Sequence, residues 1–504
     1  MSATISENVE KQALGEDVEN TSSASPEGSN KNANTQTSEN ANIVDWDGPN
    51  DPHNPLNWSP LHKWIIIALT SANTFVVSFA PTVFAPGVPL MMKEFHSTSS
   101  SLASLSVSIY IIGLIIGPVF LAPLSELYGR SPIIHVSNVL FLIFSIACAV
   151  SSDLAMFIVF RLFTGIAGST PVTLGGGIIA DLMPPEKRGT AMIAWLLGPL
   201  LGPVIGPVAG GFLAQGEGWR WIARLVVICS GVVTTLSFIL YRETYGTAIL
   251  SHKAARLRKE TGNLDLKSKF DKGQSPSQLF RTAIIRPTKL LLGSPIVALL
   301  AVYTSIVYSY MYLLFTTFTR VFENQYNFNT GEAGLAYLGL GIGFFLGQIG
   351  VAIFDAKSKK RVLSSGKAMT PEDRLPPLKI GTFLIPVGLV IYGWSADKHV
   401  HWIVPIIGTL FIGIGILFVF FPIQMYLVDA FTIYAASALA TNTVVRSLFG
   451  ATIPLAGPKL YASLGLGWGN SLLAFIALAF SPSPFLLIKY GERIRTHPSF
   501  QPKL

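Results

Sequence analysis

Two arginines, Arg161 and Arg446, stand inside long apolar runs of this sequence. A guanidinium in such a place costs roughly 3 kcal/mol or more unless it faces water or a partner. Each therefore needs a reason to exist. Gly165 and Gly168 follow Arg161 on one helical face, so a neighbouring helix can approach closely there. Snorkelling toward the nearer interface is the alternative for Arg161. Ionisable groups within apolar runs mark substrate or ion pathways, and if a proton is to move along one, a group must titrate in alternating exposure. The candidates are Glu126, Asp181, Asp429, Glu332 and His135, all near the ends of apolar runs, and no carboxylate occupies the middle of one. Asp181 lies twenty residues beyond Arg161, roughly 30 Å along a helix. The two cannot pair directly, and Arg188 is the expected partner of Asp181.

A passage for a solute through such runs should be apolar with a few polar anchors. Asn73, Tyr308, Tyr312, Phe315, Tyr337, Gln424 and Asn442 are the candidates, with Tyr308, Tyr312 and Phe315 at helical spacing. Aromatic belts and core packing use the same residue types. No G-x-x-x-x-G-K-[ST] run cradles phosphates. The eight histidines are scattered, and the two cysteines, Cys148 and Cys229, read as packing residues. Neither an enzyme, a metal site nor a nucleotide cofactor is expected.

The sharpest pattern is Gly198-Pro199, Gly202-Pro203, Gly206-Pro207 and Gly210. Glycines at every fourth residue form one ridge that a neighbouring backbone can approach. Each proline removes an amide donor and strains the preceding turn, so the helix can bend where other groups satisfy the freed carbonyls.

The elements that must hold these residues follow from composition. The chain has 504 residues, of which 50% are hydrophobic and only 13% charged. Its mean hydropathy is +0.50. A soluble chain carries roughly 25% charged residues, so much of this surface faces lipid. Runs of about 20 apolar residues fall near 64–86, 103–122, 131–150, 154–182, 190–213, 221–241, 291–318, 333–354, 379–395, 401–428, 435–457 and 468–489. The expected fold is an all-α integral membrane protein of twelve transmembrane helices in two six-helix bundles, 61–241 and 291–490. Residues 242–290 read as a basic linker, 491–504 as a short tail, and 1–60, with ten carboxylates against two lysines, as an acidic and mostly disordered tail. Placing both tails and the linker on one side gathers 28 of the 36 Lys and Arg there. That side is then cytosolic by the positive-inside rule, and it borders anionic lipid. This accounts for the basic balance without nucleic acid. Asp181 and Asp429 close the fourth and tenth runs, and Gly202 and Gly450 share an offset from them, a weak sign of an internal repeat.

In its motifs the chain resembles the major facilitator superfamily, specifically its fungal twelve-span drug:proton antiporters. The resemblance rests on the Gly-Pro run, on Val44-Asp45-Trp46-Asp47-Gly48-Pro49-Asn50-Asp51-Pro52 and on Ala122-Pro123-Leu124-Ser125-Glu126-Leu127-Tyr128-Gly129-Arg130. Arg161-Leu162-Phe163-Thr164-Gly165 and Tyr426-Leu427-Val428-Asp429-Ala430 extend it. It implies a monomeric efflux carrier of amphipathic or cationic organic compounds, such as drugs and toxins, driven by the proton gradient, in the plasma membrane or alternatively the vacuolar membrane. Export of a self-made metabolite or polyamine, or a sensor role without transport, are its rivals. It also implies proton coupling at Arg161, a charge lock at Glu126, Gly129 and Arg130, and a conformational switch along the Gly-Pro ridge. Ala122 in place of glycine, and Ser131-Pro132 in place of a second basic residue, depart from the pattern.

Overall fold

Inside a bilayer no water satisfies backbone amides, so an apolar run must close its own hydrogen bonds as a helix. The structure, a computed structural model, describes residues 42–270, 276–364, 366, 370–431, 435–497 and 500. Its first half holds α1 (Pro60–Val83), a short α2 (Val88–Glu94), α3 (Ser100–Tyr128), α4 (Arg130–Ala149), α5 (Leu154–Leu182), α6 (Pro185–Glu217) and α7 (Trp219–Leu240). Short polar residues start these helices: the side chains of Ser59, Ser99 and Asp153 accept the backbone N–H of His62, Leu102 and Met156. The second half holds α10 (Pro295–Tyr326), α11 (Thr330–Ala336), α12 (Leu338–Ser364), α13 (Leu378–Asp397), α14 (Ile403–Phe431), α15 (Ala435–Thr452), α16 (Gly457–Ala479) and α17 (Pro482–Thr496).

Among the described residues, eleven helical stretches are long and apolar enough to cross a membrane, and the last, Ser437–Thr496, spans 60 residues. At 1.5 Å per residue that length suffices for two crossings. The chain leaves helical geometry at Gly465, with φ 74°, and runs back from Leu466. The twelfth span expected at 468–489 is thus divided, because α16 ends at Ala479 and Pro482 opens α17.

Among the described residues, buried apolar side chains form three clusters. Two are drawn wholly from the first half, and the third from the second half together with Ala85, Ile111 and Leu290. The halves touch where α6 meets α11 and where α3 meets α15.

The segment expected to be a plain linker is folded. It forms α8 (Gly246–Thr261), β2 (Lys267–Ser268) and α9 (Pro276–Gly293). The tail expected to be disordered is ordered from residue 42, and the rest of that expectation lies outside the described residues. Its β1 (Ile43–Val44) pairs in parallel with β2. Lys269 pairs with Asp45 at 2.7 Å, and Lys253 donates to the Asp45 carbonyl at 3.0 Å. These residues strap the chain's beginning onto α8. The hydrogen bond from Lys269 and the N–H of Trp46 hold the Asp45 carboxyl below its usual value.

Candidate functional site

Arg161 lies two turns into α5 and is 1% exposed, so it does not snorkel. Its Nη1 donates to the Ala80 carbonyl at 3.0 Å and its Nε to the Ser106 carbonyl at 3.4 Å. Ala80 belongs to the last turn of α1, where unpaired carbonyls carry partial negative charge. The guanidinium also sits 4.6 Å from the Phe84 ring and 5.0 Å from the Tyr110 ring. Backbone and ring faces thus offset a charge that pairs with no described carboxylate. Gly165 and Gly168 do what their spacing suggested, since α3 backbone at Tyr110 lies against Gly165 and the Tyr110 hydroxyl against Gly168. One nitrogen, Nη2, is buried without a partner, and so is the Ser145 hydroxyl. Both border a void of about 10 Å³ with Cys148 and Thr164, the threshold size for one water.

On the face that carries the linker, Gly129 turns the chain from α3 into α4 with φ 99°, a conformation that favours glycine. The expected lock between Glu126 and Arg130 does not form: Glu126 is exposed, and the turn is held by Glu243 instead. That carboxylate accepts the N–H of Arg130 at 2.9 Å, of Ser131 at 3.0 Å and of Tyr245 at 2.8 Å. Arg130 reaches Ser125 Oγ at 2.6 Å and Asp181 at 3.6 Å, with its guanidinium over the Tyr245 ring. Asp181 therefore pairs with Arg130 and not with Arg188, the partner expected from spacing. Arg188 instead caps carbonyls of Met183 and Ala180 at the end of α5. Glu243 was visible only as part of a short polar stretch after the sixth run.

The second half repeats this arrangement with different residues. Arg374 bonds Asp429 at 2.7 Å and also pairs with Asp355. Glu372 accepts from Arg495 and from the Tyr426 hydroxyl, each at 3.4 Å. In both halves an arginine from the loop after the second span of that half meets the aspartate closing its fourth. Arg374 lies in a polar insertion whose length obscured the correspondence. Of the other proton candidates, Glu332 is occupied in a capping box with Asn329, and His135 bonds Ser131 Oγ at 3.1 Å and stacks on Phe238.

The glycine ridge of α6 packs on α1. A Cβ at Gly202 would lie 2.7 Å from the Phe79 nitrogen, and one at Gly198, Gly206 or Gly210 would strike Ser71, Thr82 or Val83. Pro199 frees the Trp195 carbonyl, and Ser71 Oγ donates to it at 3.1 Å. On the other side of the helix, Gln215 accepts the N–H of Gly331 at 3.0 Å, and a Cβ at Gly211 would meet the Thr330 carbonyl at 2.8 Å. The Gly-Pro helix is thus seated between the first helix of its own half and the second half. Gly450 supports the weak repeat, because it faces Tyr308 of α10 as Gly202 faces α1.

The seven residues expected to line a passage divide. Asn73 donates to the Leu69 carbonyl at 2.9 Å and to Ser237 Oγ at 3.2 Å, inside the first half. Phe315 and Tyr337 stack with centroids 5.8 Å apart, and the Tyr337 hydroxyl bonds Thr319. These three are core residues, and burial is the reason. Tyr308 and Tyr312 instead gather with Arg446 and with Phe420, which sequence reasoning missed. The Tyr308 ring lies 4.9 Å from Tyr312 and 5.7 Å from Phe420, and the Arg446 guanidinium lies 5.1 Å and 5.2 Å from the Tyr308 and Phe420 rings. Asn442 is buried one turn before Arg446, and Gln424 is half-buried one turn after Phe420. A separate groove of about 380 Å³ runs between α1 and α6, walled by Trp64, Ala68, Phe75, Leu197 and Leu201. None of the seven lines it.

The model of the Major Facilitator Superfamily matches residues 70–454. An "MFS-type transporter tndD" of Aspergillus flavipes is 55% identical over 458 residues, covering 90% of this chain and 85% of that one. The "Efflux pump radE" of Floropilus chiversii is 51% identical, covering 92% and 86%. The "MFS-type transporter penM" of Penicillium rubens is 51% identical, covering 91% of each. Among solved structures, the partially occluded inward open xylose transporter XylE of E. coli superposes with a TM-score of 0.64 at 17% identity, over 85% of this chain and 98% of that chain.

Proposed function

The chain belongs to the major facilitator superfamily, and from that premise we propose that it exports amphipathic organic compounds in exchange for protons. As a member of that family it is a multi-pass membrane transporter of small molecules, not an enzyme, and needs no cofactor. The observation that carries the exchange reading is Arg161, a buried charge without a counter-ion. Its hydrogen bonds tie α5 to α1 and α3. Movement of these helices that alters that hold changes the cost of the buried charge, so Arg161 is linked to the packing of α1, α3 and α5.

The proton itself is assigned to Asp181 or Asp429. Each faces an arginine that links two spans of its own half, Asp181 against Arg130 and Asp429 against Arg374, so each stands where helix movement makes or breaks an ion pair. Glu126, exposed to solvent, is left out of this assignment. The Gly-Pro ridge is the surface on which α6 moves against α1 while its contacts with α11 open. A gradient of about 100 mV and one pH unit supplies about 3.7 kcal/mol per proton, roughly a 500-fold accumulation ratio for a neutral solute. The plasma membrane, with both termini cytosolic and the basic face against anionic lipid, is the proposed location, and the monomer the proposed working unit.

The test is efflux of a labelled compound panel from a pump-deficient host at matched surface expression. Efflux that an uncoupler stops, and that Arg161→Ala abolishes, is the expected result. Efflux indifferent to the uncoupler would remove the proton from the scheme.

A further inference from the structure

The expectation of cationic substrates meets an obstacle in the charge inventory of the spans. Among the described residues, every carboxylate of a membrane-crossing stretch stands near an end, and the two charges inside are Arg161 and Arg446. Arg161 is enclosed and held by backbone carbonyls. Arg446 is different. It is half-buried, its Nε is buried without a partner, and it forms no ion pair with a described carboxylate. One turn away on the same helix face, the Asn442 side-chain carbonyl is also buried and unpartnered, with the residue 1% exposed. Exchange of the amide's oxygen and nitrogen turns that orphan into a donor.

From these groups we infer that the transported compound is an organic acid, bound as its anion at Arg446. The inference rests on the export reading and narrows its substrate. A guanidinium presents a planar fork of donors that matches a carboxylate, sulfonate or enolate. Asn442 adds a further donor, and the Tyr308 hydroxyl, which donates to Tyr312 at 3.5 Å, leaves the Tyr312 proton for the ligand. The Tyr308, Tyr312 and Phe420 rings wall the site from two other helices, which suits a flat unsaturated body beside the acid group. Gly450 permits this arrangement, because a Cβ there would lie 2.7 Å from the Tyr308 ring. An organic cation in the same place would face Arg446 with no carboxylate to offset it.

The test uses the full chain, purified and also reconstituted in vesicles, with three probes that share one aromatic body: naphthylacetate, its neutral amide, and naphthylmethylammonium. The acid is expected to bind about tenfold or more tighter than the ammonium. Arg446→Gln should weaken the acid about tenfold and leave the amide within about twofold. Arg446→Lys should keep part of the acid preference, and it decides the matter if the glutamine variant proves unstable in a thermal melt. The ammonium binding as tightly as the acid, the acid failing to bind, or Arg446→Gln leaving the acid's affinity unchanged would each overturn the inference. Acid-selective binding without flux in vesicles would support it and overturn export instead. Flux of the ammonium without acid preference would do the reverse.

Discussion

At the scale of single residues, geometry separates positions that composition makes look alike. Arg161 and Arg446 both interrupt apolar runs and each has a buried nitrogen without a partner, yet Arg161 is enclosed and held by two backbone carbonyls while Arg446 is half-buried against rings of two other helices. Arg161→Lys retains charge but not the two-carbonyl reach, and its transport is expected to drop at least about tenfold with the protein still folded, as a melt and an efflux assay would show together. Gly129→Ala forces a side chain into φ 99° and onto the Glu243 carboxylate, a cost of about 1–3 kcal/mol to be read as a lower melting temperature. The two inter-span pairs can be ranked. A double-mutant cycle on Arg374 and Asp429, bonded at 2.7 Å, should give a larger coupling than one on Arg130 and Asp181 at 3.6 Å. The sequence exposes Arg161 and Gly129 because each breaks a local rule, a charge among apolar residues or a glycine in a tight turn. It hides Arg374 and Phe420, whose importance comes from a partner 55 residues away or from an aromatic face no spacing announces, and it shows Glu243 only within the family-like segment Tyr241–Tyr245, without the turn it holds 113 residues earlier.

At the scale of elements, α6 combines the clearest pattern with the tightest packing. Gly202→Val would push branched carbon into the backbone of α1, with about 1–3 kcal/mol of overpacking and a loss of transport, whereas Gly216→Ala, at a glycine with open space around it, should leave both unchanged. Spans were legible wherever an apolar run was bounded by polar caps, as at Ser59, Ser99 and Asp153. They were less legible at the end of the chain, where Gly465 and Pro482 divide a continuous hydrophobic stretch without lowering its hydropathy. The polar segments read as tail and linker hold short elements that no periodicity announced. Each lacks a core of its own, and β1 and β2 exist only because they meet.

At the scale of the whole molecule, the substrate's charge changes the energetics of export. If an anion leaves for each proton that enters, both movements are favoured by an interior-negative potential, and about 100 mV alone drives a monovalent anion to roughly a 50-fold ratio. Naphthylacetate flux in vesicles should therefore rise with an imposed potential at equal pH. The strap on the linker face should be insensitive to such conditions. Asp45 titrates below its usual 3.8 when folded, so its contribution is complete above that value and is lost only as pH falls through the lower, folded one. A donor and acceptor fluorophore placed on β1 and β2 should report the same separation from about pH 5 to pH 8. The strap also carries a timetable. Val44 leaves the ribosome more than 220 residues before its partner Ser268, which at about 5–20 residues per second is a wait of roughly 10 to 45 s. For that interval the start of the chain has nothing to dock on, and its closure onto β2 follows only once all of the first bundle and α8 have been synthesised.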